Sequence, residues 1–257
     1  MSRTVEAAAL QLLADPGRPE LNLERLALAV RDCAGADLIV AGELVNSGYD
    51  LDVIDRDAAE LAEPLDGVTV TLTRTLAGET GATIVVGLLE RHEDGLYDTA
   101  VVVPPDGPVV PYRKSHLYPP ERERFAAGDE LLQLETPAGR LGVMICFEHA
   151  FPEIATALAL EGAEIIAIPS AVPYGYEHLL TLRSRARAQD NQLFVVASNL
   201  AGNGFCGGSL IVDPRGEVLA QAGTGEETIR ARLDLGAIER EREREPALRL
   251  RRPTLYR

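Results

Sequence analysis

The sequence predicts one α/β domain with mixed or paired sheets and helices on the outside. Three observations lead there. Short apolar runs alternate with segments of helical periodicity, strands outnumber helices, and no linker interrupts them. With 257 residues, 46% of them hydrophobic, the chain can bury a sizeable core within one large α/β unit. We therefore read residues 1–257 as a single domain.

The elements follow in order. "VEAAALQLL" (5–13) reads as a strand, although its alanines and leucines leave helix open. "NLERLALAVRDCAGA" (22–36) has apolar residues at helical spacing and stops at Gly35. "DLIVAGE" (37–43) is a buried strand. Residues 57–81 are helical in part and broken at Pro64. "ATIVVGLLER", "LYDTAVVVPPDG" and "PVVPYRK" read as strands, with Asp106-Gly107 as a turn. "LGVMICF" is a strand, "FPEIATALALEGA" a helix stopped by Gly162, "EIIAIPSA" a strand, "HLLTLRSRARAQDN" a helix and "QLFVVASNL" a strand. "GGSLIVDPRGEVLAQAG" reads as a hairpin turning at residues 214–216, and "TIRARLDL" closes the set. Residues 239–257 form a charged C-terminal tail. Its "EREREREP" run places opposite charges at i,i+3 but like charges at i,i+4, so charge pairing gives no clear helix support. It reads as a solvated surface turn, with an oligomer contact as the alternative.

Composition narrows the partners. A net charge of −15 disfavours nucleic acid or an anionic membrane surface and leaves a small molecule as the expected substrate. No apolar stretch approaches the ~20 residues of a membrane span, and the first residues do not read as a secretory signal. Cys33, Cys146 and Cys206 are odd in number and widely spaced, which points to a reducing cytoplasm rather than a disulfide framework. No Cys-x-x-Cys or His-rich cluster offers metal-ligand spacing, so no metal is expected.

Three strand ends carry the chemistry. "VMIC" leads to Cys146, and Pro152 follows where a helix can start, so the thiol sits at a strand–turn–helix corner like a nucleophile elbow. Glu43 ends the strand "DLIVAGE", and Lys114 ends "PVVPYRK". A thiol needs a base, a buried carboxylate can serve as one, and an ammonium can stabilise an oxyanion while lowering the thiol's pKa. Taken singly, Cys146 is as much at home as a buried structural cysteine, and for Glu43 and Lys114 the bland role, a solvent-turned glutamate and a surface lysine, is the better reading.

Together, the stretches "AGELVNSGY", "YRKSHLYPPERERFAAGD" and "ICFEHAFPE" resemble the nitrilase superfamily of carbon–nitrogen hydrolases, on its amidase or carbamoylase-like branch. "GAEIIAIPSA", "RARAQDNQLFVVASN" and "GGSLIVDPRGEVLAQAG" match further on, so the resemblance covers nearly the whole chain. It implies a four-layer α-β-β-α sandwich, a homodimer or higher homo-oligomer paired through its helices, and no metal or organic cofactor. It makes Glu43 the general base, Lys114 the oxyanion-stabilising lysine and Cys146 the nucleophile. A second family glutamate falls on Glu121, or on Glu123 if the "ERER" repeat is shifted by two. Gly42 stands where the family usually has proline, which loosens the strand end that aims Glu43.

The implied reaction cleaves a small linear amide or N-carbamoyl compound through a thioester and releases ammonia, with the Phe147 backbone N–H as a second oxyanion donor. Tyr49, Glu148, Tyr174 and His178 are candidate substrate contacts. His149 lies too near Cys146 along the chain to reach over the thiol as its base. The alternatives are a nitrilase, echoed by the Cys146-Phe147-Glu148 order, and a catalytically inactive interaction protein on the same fold.

Overall fold

Two sheets lie face to face in the computed structural model, which describes residues 3–255. The chain enters through β1 (Thr4–Gln11), α1 (Pro19–Asp32), β2 (Leu38–Val40), α2 (Leu51–Leu61), α3 (Val68–Thr80), β3 (Thr83–His92), β4 (Gly95–Val103) and β5 (Val110–Arg113). It continues through β6 (Leu132–Thr136), β7 (Gly139–Val143), α4 (Pro152–Leu160), β8 (Ile165–Ser170), α5 (Glu177–Asn191) and β9 (Phe194–Asn199). The short pair β10 (Ala201–Gly202) and β11 (Phe205–Cys206) precedes β12 (Leu210–Val212), β13 (Val218–Gln221), β14 (Glu227–Asp234) and α6 (Gly236–Arg244). One six-stranded sheet has the order β14-β1-β2-β3-β4-β5, the other β13-β12-β9-β8-β7-β6. The central pairs β1–β2, β2–β3, β7–β8 and β8–β9 are parallel.

The period-2 alternation of the strands builds the layers. In β1, Ala8 and Leu10 turn outward to Leu26 and Val30 of α1 and Leu76 of α3. Ala7 and Ala9 turn inward, with Val40, Val85 and Val102, against Leu141, Val143, Ala167 and Val196 of the second sheet. Ile166, Ile168 and Val195 then turn outward to Ile154 and Leu158 of α4 and Leu180 and Ala188 of α5. This is the α-β-β-α sandwich. Each fully buried Leu or Ile contributes about 1.5–3 kcal/mol, so the inter-sheet layer fixes how the two sheets, and the strand ends they carry, face each other.

Three local readings need correction. The strand "LGVMICF" stops at Val143, three residues short of Cys146. A helix begins at Leu51, six residues before the one expected, because the Asp50 side chain accepts from the N–H groups of Asp52 and Val53. The run after residue 239 is not a solvated surface turn: it is helical through Arg244. Ile238 anchors that helix in the core, Gln192 Nε2 donates to the carbonyls of Glu241 and Glu245, and Arg244 pairs with Glu241 one turn back. Tertiary contacts outweigh the weak local preference. Of the charged tail, Tyr256 and Arg257 lie outside the described residues.

Candidate active site

Glu43, Lys114 and Cys146 come from both sheets and meet at one end of the inter-sheet layer. Glu43 follows β2, in a turn tied down on two sides. Ala41 and Val45 donate to Val85 and Gly87 of β3, Gly87 donates to Gly42, and the Glu43 N–H reaches Ser170 of the other sheet. Gly42 therefore does not loosen this strand end. A Cβ there would lie 2.5 Å from Leu200 Cδ2, so its lack of a side chain lets the sheets close around the turn. A Cβ on Gly87 would lie 2.7 Å from Glu43 Cα. Leu44, next to Glu43, has φ +43°, and Cys146 has φ +41°. Positive φ in a bulky non-glycine residue is costly and persists where the surroundings over-determine it; here it marks the turns that carry Glu43 and Cys146.

Cys146 opens a 3-10 turn, Cys146–Ala150, that links β7 to α4, and Pro152 is the first residue of α4. The expected strand–turn–helix corner thus exists, with a tight turn inserted. The early N–H groups of such a turn lack intrahelical acceptors, and Phe147 holds one of them beside the thiol.

Lys114 is 1% exposed and lies directly after β5. Its ammonium donates to Glu43 Oε1 at 2.5 Å, Glu121 Oε1 at 2.8 Å and Asp98 Oδ2 at 3.0 Å. Glu121 sits in a second 3-10 turn, Pro119–Glu123, where its other oxygen reaches back to the Tyr118 N–H. Tyr49 donates to Glu121 at 2.6 Å. Of the two candidate glutamates, Glu121 is buried in the cluster, and Glu123 is exposed. Asp98 was missed at the sequence level. Its signal was an acid in the strand run "LYDTAVVV", on the buried β4.

One ammonium thus serves three carboxylates, and proton affinities move accordingly. Burial pushes Glu43 well above the usual carboxylate range, Lys114 pulls it down, and Asp98 and Glu121 raise it further. Burial also raises Glu121, against the pull of Lys114. Burial alone would lower Lys114, but the fields of Asp98, Glu43 and Glu121 outweigh it and hold the ammonium charged. The Cys146 thiol is pushed up by burial and then by Glu43. Lys114 and the Ala171 N–H work the other way and are outweighed. The expectation that the ammonium lowers the thiol holds for that one pair but not for the sum: the resting thiol is neutral. The oxygens of Glu43, Asp98 and Glu121 lie within 4.8 Å of one another, a spacing that suits a metal, and Lys114 supplies a cation among them.

Cys146 lines a cavity of about 250 Å³ together with Tyr49, Tyr118, Glu121, Phe147, His149 and Arg183. That is room for a small substrate rather than a drug-sized one. Of the candidate contacts, Tyr49 lines this cavity. Tyr174 is half exposed, and His178 lies in a separate surface groove with Arg185 and Arg215. Glu148 is fully buried and spent on backbone and hydroxyl donors, so it braces the loops on either side of the site instead of facing a ligand. Cys33 and Cys206 do not line the cavity. No described helix is long and apolar enough to cross a membrane.

Residues 6–243 match the family model described as carbon-nitrogen hydrolase. The chain is 37% identical over 237 residues to an (R)-stereoselective amidase of Pseudomonas sp, covering 89% of this chain and 85% of that protein. It is 33% identical over 267 residues to an omega-amidase of Xenopus tropicalis, covering 96% and 95%. Crystalline Nit3 of Saccharomyces cerevisiae superposes with a TM-score of 0.85 at 32% identity, covering 96% of each chain. Two face-to-face sheets flanked by helices, a buried lysine–carboxylate cluster at a strained cysteine, and these matches agree: the chain belongs to the carbon-nitrogen hydrolases, in the amidase branch of the nitrilase superfamily.

Proposed function

We propose that the protein hydrolyses a small linear amide or N-carbamoyl compound through a thioester on Cys146, with Glu43 as base and Lys114 as oxyanion partner. The observation that carries this reading is the Lys114 ammonium, buried and shared by Glu43 and Glu121, the second of which lines the cavity with Cys146. The neutral thiol needs a proton acceptor at the moment of attack, and Glu43, whose proton affinity burial raises, suits that task. Sγ attacks the carbonyl carbon, and the thiol proton goes to Glu43. The oxyanion is held by Lys114 and the Phe147 N–H. Glu43 then protonates the leaving nitrogen, the C–N bond breaks and ammonia departs. Glu43 next takes a proton from water, which attacks the thioester, and the thiol and a carboxylic acid are restored. Glu121 holds Lys114 and Tyr49 in place throughout.

The test is ammonia release from a panel of amides, ureido acids and nitriles, with intact mass spectrometry to detect the acyl adduct on Cys146. Cys146→Ala is expected to fold and to lose turnover by roughly 10⁴-fold or more. Ammonia release by the folded variant would overturn the mechanism, and turnover of nitriles alone would favour the nitrilase reading. Two further readings belong here. The free cysteines suit a reducing cytoplasm. Exposed Leu160 on α4 and Leu182 on α5 suit pairing of two copies through these helices; a monomer by light scattering at micromolar concentration would defeat the dimer.

A further inference from the structure

We propose that Asn199 is a positioning residue for the nucleophile: its side chain fixes Val172, and through Val172 it keeps the Ala171 N–H on Cys146 Sγ. This rests on the amide-hydrolase reading, with Cys146 as its nucleophile.

β8 and β9 run parallel, and their pairing ends with Ser170 opposite Asn199. Beyond that rung the chain after β8 has left the ladder, and its next backbone groups need other partners. The Asn199 side chain supplies them. Its Oδ1 accepts from the Val172 N–H at 2.6 Å, and its Nδ2 donates to the Val172 carbonyl at 3.3 Å. One carboxamide thus takes both backbone groups of one residue, as a further strand residue would. The same Nδ2 donates to the Gly207 carbonyl at 2.7 Å and reaches Cys206 Sγ at 3.3 Å. The Cys206 N–H in turn donates to the Val172 carbonyl at 3.0 Å. Asn199 is wholly buried, and its own N–H is held by Ser209 Oγ at 2.9 Å, so the clamp stands on a fixed base.

Asn199 does not line the Cys146 cavity, whereas Ala171, Val172 and Pro173 do. Three consecutive residues therefore join the parts of the site. The Ser170 carbonyl accepts from the N–H groups of Leu200, at 3.1 Å, and Glu43, at 3.4 Å. The Ala171 N–H donates towards Cys146 Sγ and favours its thiolate. Val172 is held by Asn199. Burial and Glu43 both oppose ionisation of the thiol, so a donor aimed at the sulfur counts most as the proton leaves and charge develops on Sγ. Such a donor helps only while its direction is kept, since hydrogen bonds weaken steeply on misalignment. A segment that has left the ladder has no strand neighbour to keep that direction, and Asn199 takes the neighbour's place.

The test is alkylation of Cys146 by iodoacetamide, with peptide mass spectrometry to assign the label, because it reads the thiolate and needs no substrate. Asn199→Ala leaves the Val172 N–H without its acceptor. The variant should alkylate about tenfold more slowly than wild type at the same pH, the scale of one hydrogen bond to a charged group. With an amide that wild-type protein hydrolyses, kcat should fall by a similar factor while KM stays within about threefold. Ser209→Ala is the control: it removes the brace behind Asn199 and should alkylate near the wild-type rate. Wild-type alkylation by a folded Asn199→Ala protein, a loss confined to KM, or an equal loss in Ser209→Ala overturns the positioning role. Should Asn199→Ala fail to fold, lactic acid placed at position 171 by nonsense suppression replaces the Ala171 N–H with an oxygen. An about tenfold loss of alkylation there supports the role, and an unchanged rate overturns it. Slower alkylation in Asn199→Ala, together with no ammonia release by wild-type protein, would overturn the amide-hydrolase reading and leave the positioning of Cys146 standing.

Discussion

Two glutamates near Cys146 are wholly buried, and their surroundings are opposite. Glu148, two residues after the cysteine, accepts five hydrogen bonds: from Tyr112, from the Ser115 N–H and hydroxyl, from the His116 N–H and from the Ile145 N–H. Glu43 accepts from Lys114 on one oxygen, and its other oxygen has no donor among the described residues. Fixed donors on every side lock a carboxylate in place. A carboxylate with a bare oxygen, one shared ammonium and two acidic neighbours is poised to gain and lose a proton. The contrast teaches that burial alone does not distinguish a brace from a candidate base. The count of donors does.

The largest effect should come from removing proton transfer. Glu43→Gln keeps shape and hydrogen bonding, so it should bind substrate yet lose at least ~10²-fold in acylation. Its stability should move the other way. Because the folded-state proton affinity of Glu43 is raised, the native protein binds more protons than the unfolded chain between pH 4.5 and the folded value. Ionising Glu43 therefore costs stability as pH rises through that window. Glu43→Gln removes this cost, and Lys114 keeps Asp98 and Glu121, so the variant should be no less stable than wild type at neutral pH. A clear loss of Tm with near wild-type acylation would place Glu43 with the braces.

Glu148→Ala should do the reverse. It strands buried donors and opens a gap between the two loops, at a cost of about 3–5 kcal/mol. For a chain of this size that corresponds to a fall in Tm of roughly 6–20 °C. A stable variant with a kinetic defect alone would show that Glu148 touches the reaction. The smallest and sharpest test is Asp98→Asn. It retains hydrogen-bonding capacity next to Glu43 but removes a charge that raises Glu43's proton affinity. The groups facing this pair are Lys114, Glu121, Tyr49 and the Cys146 thiol. The acidic limb of kcat/KM should move to lower pH; no movement would make Asp98 a packing residue.

Much of this site was legible because strand ends are local. Apolar runs stopping at Glu43, Lys114 and Cys146 located three turns, and the motifs around them were specific. Asp98 was not legible as a partner of Lys114, since 16 residues separate them and only the β4–β5 pairing brings them together. Glu148 read as a pocket residue because its position beside Cys146 carries no record of the Tyr112–His116 loop that encloses it. The edge strand β6 escaped notice because its half-buried residues, "LQLET", show little alternation.

The sequence by itself determined the alternation of strands and helices, the core-facing periodicity and the three candidate residues at strand ends. These depend on side-chain chemistry repeated along a short stretch of chain. Only the tertiary structure decided how charge is balanced: three carboxylates on one ammonium and a fully donated Glu148. The physical reason is that desolvation and pairing depend on what surrounds a group in space, and the two sheets bring together residues far apart in the chain.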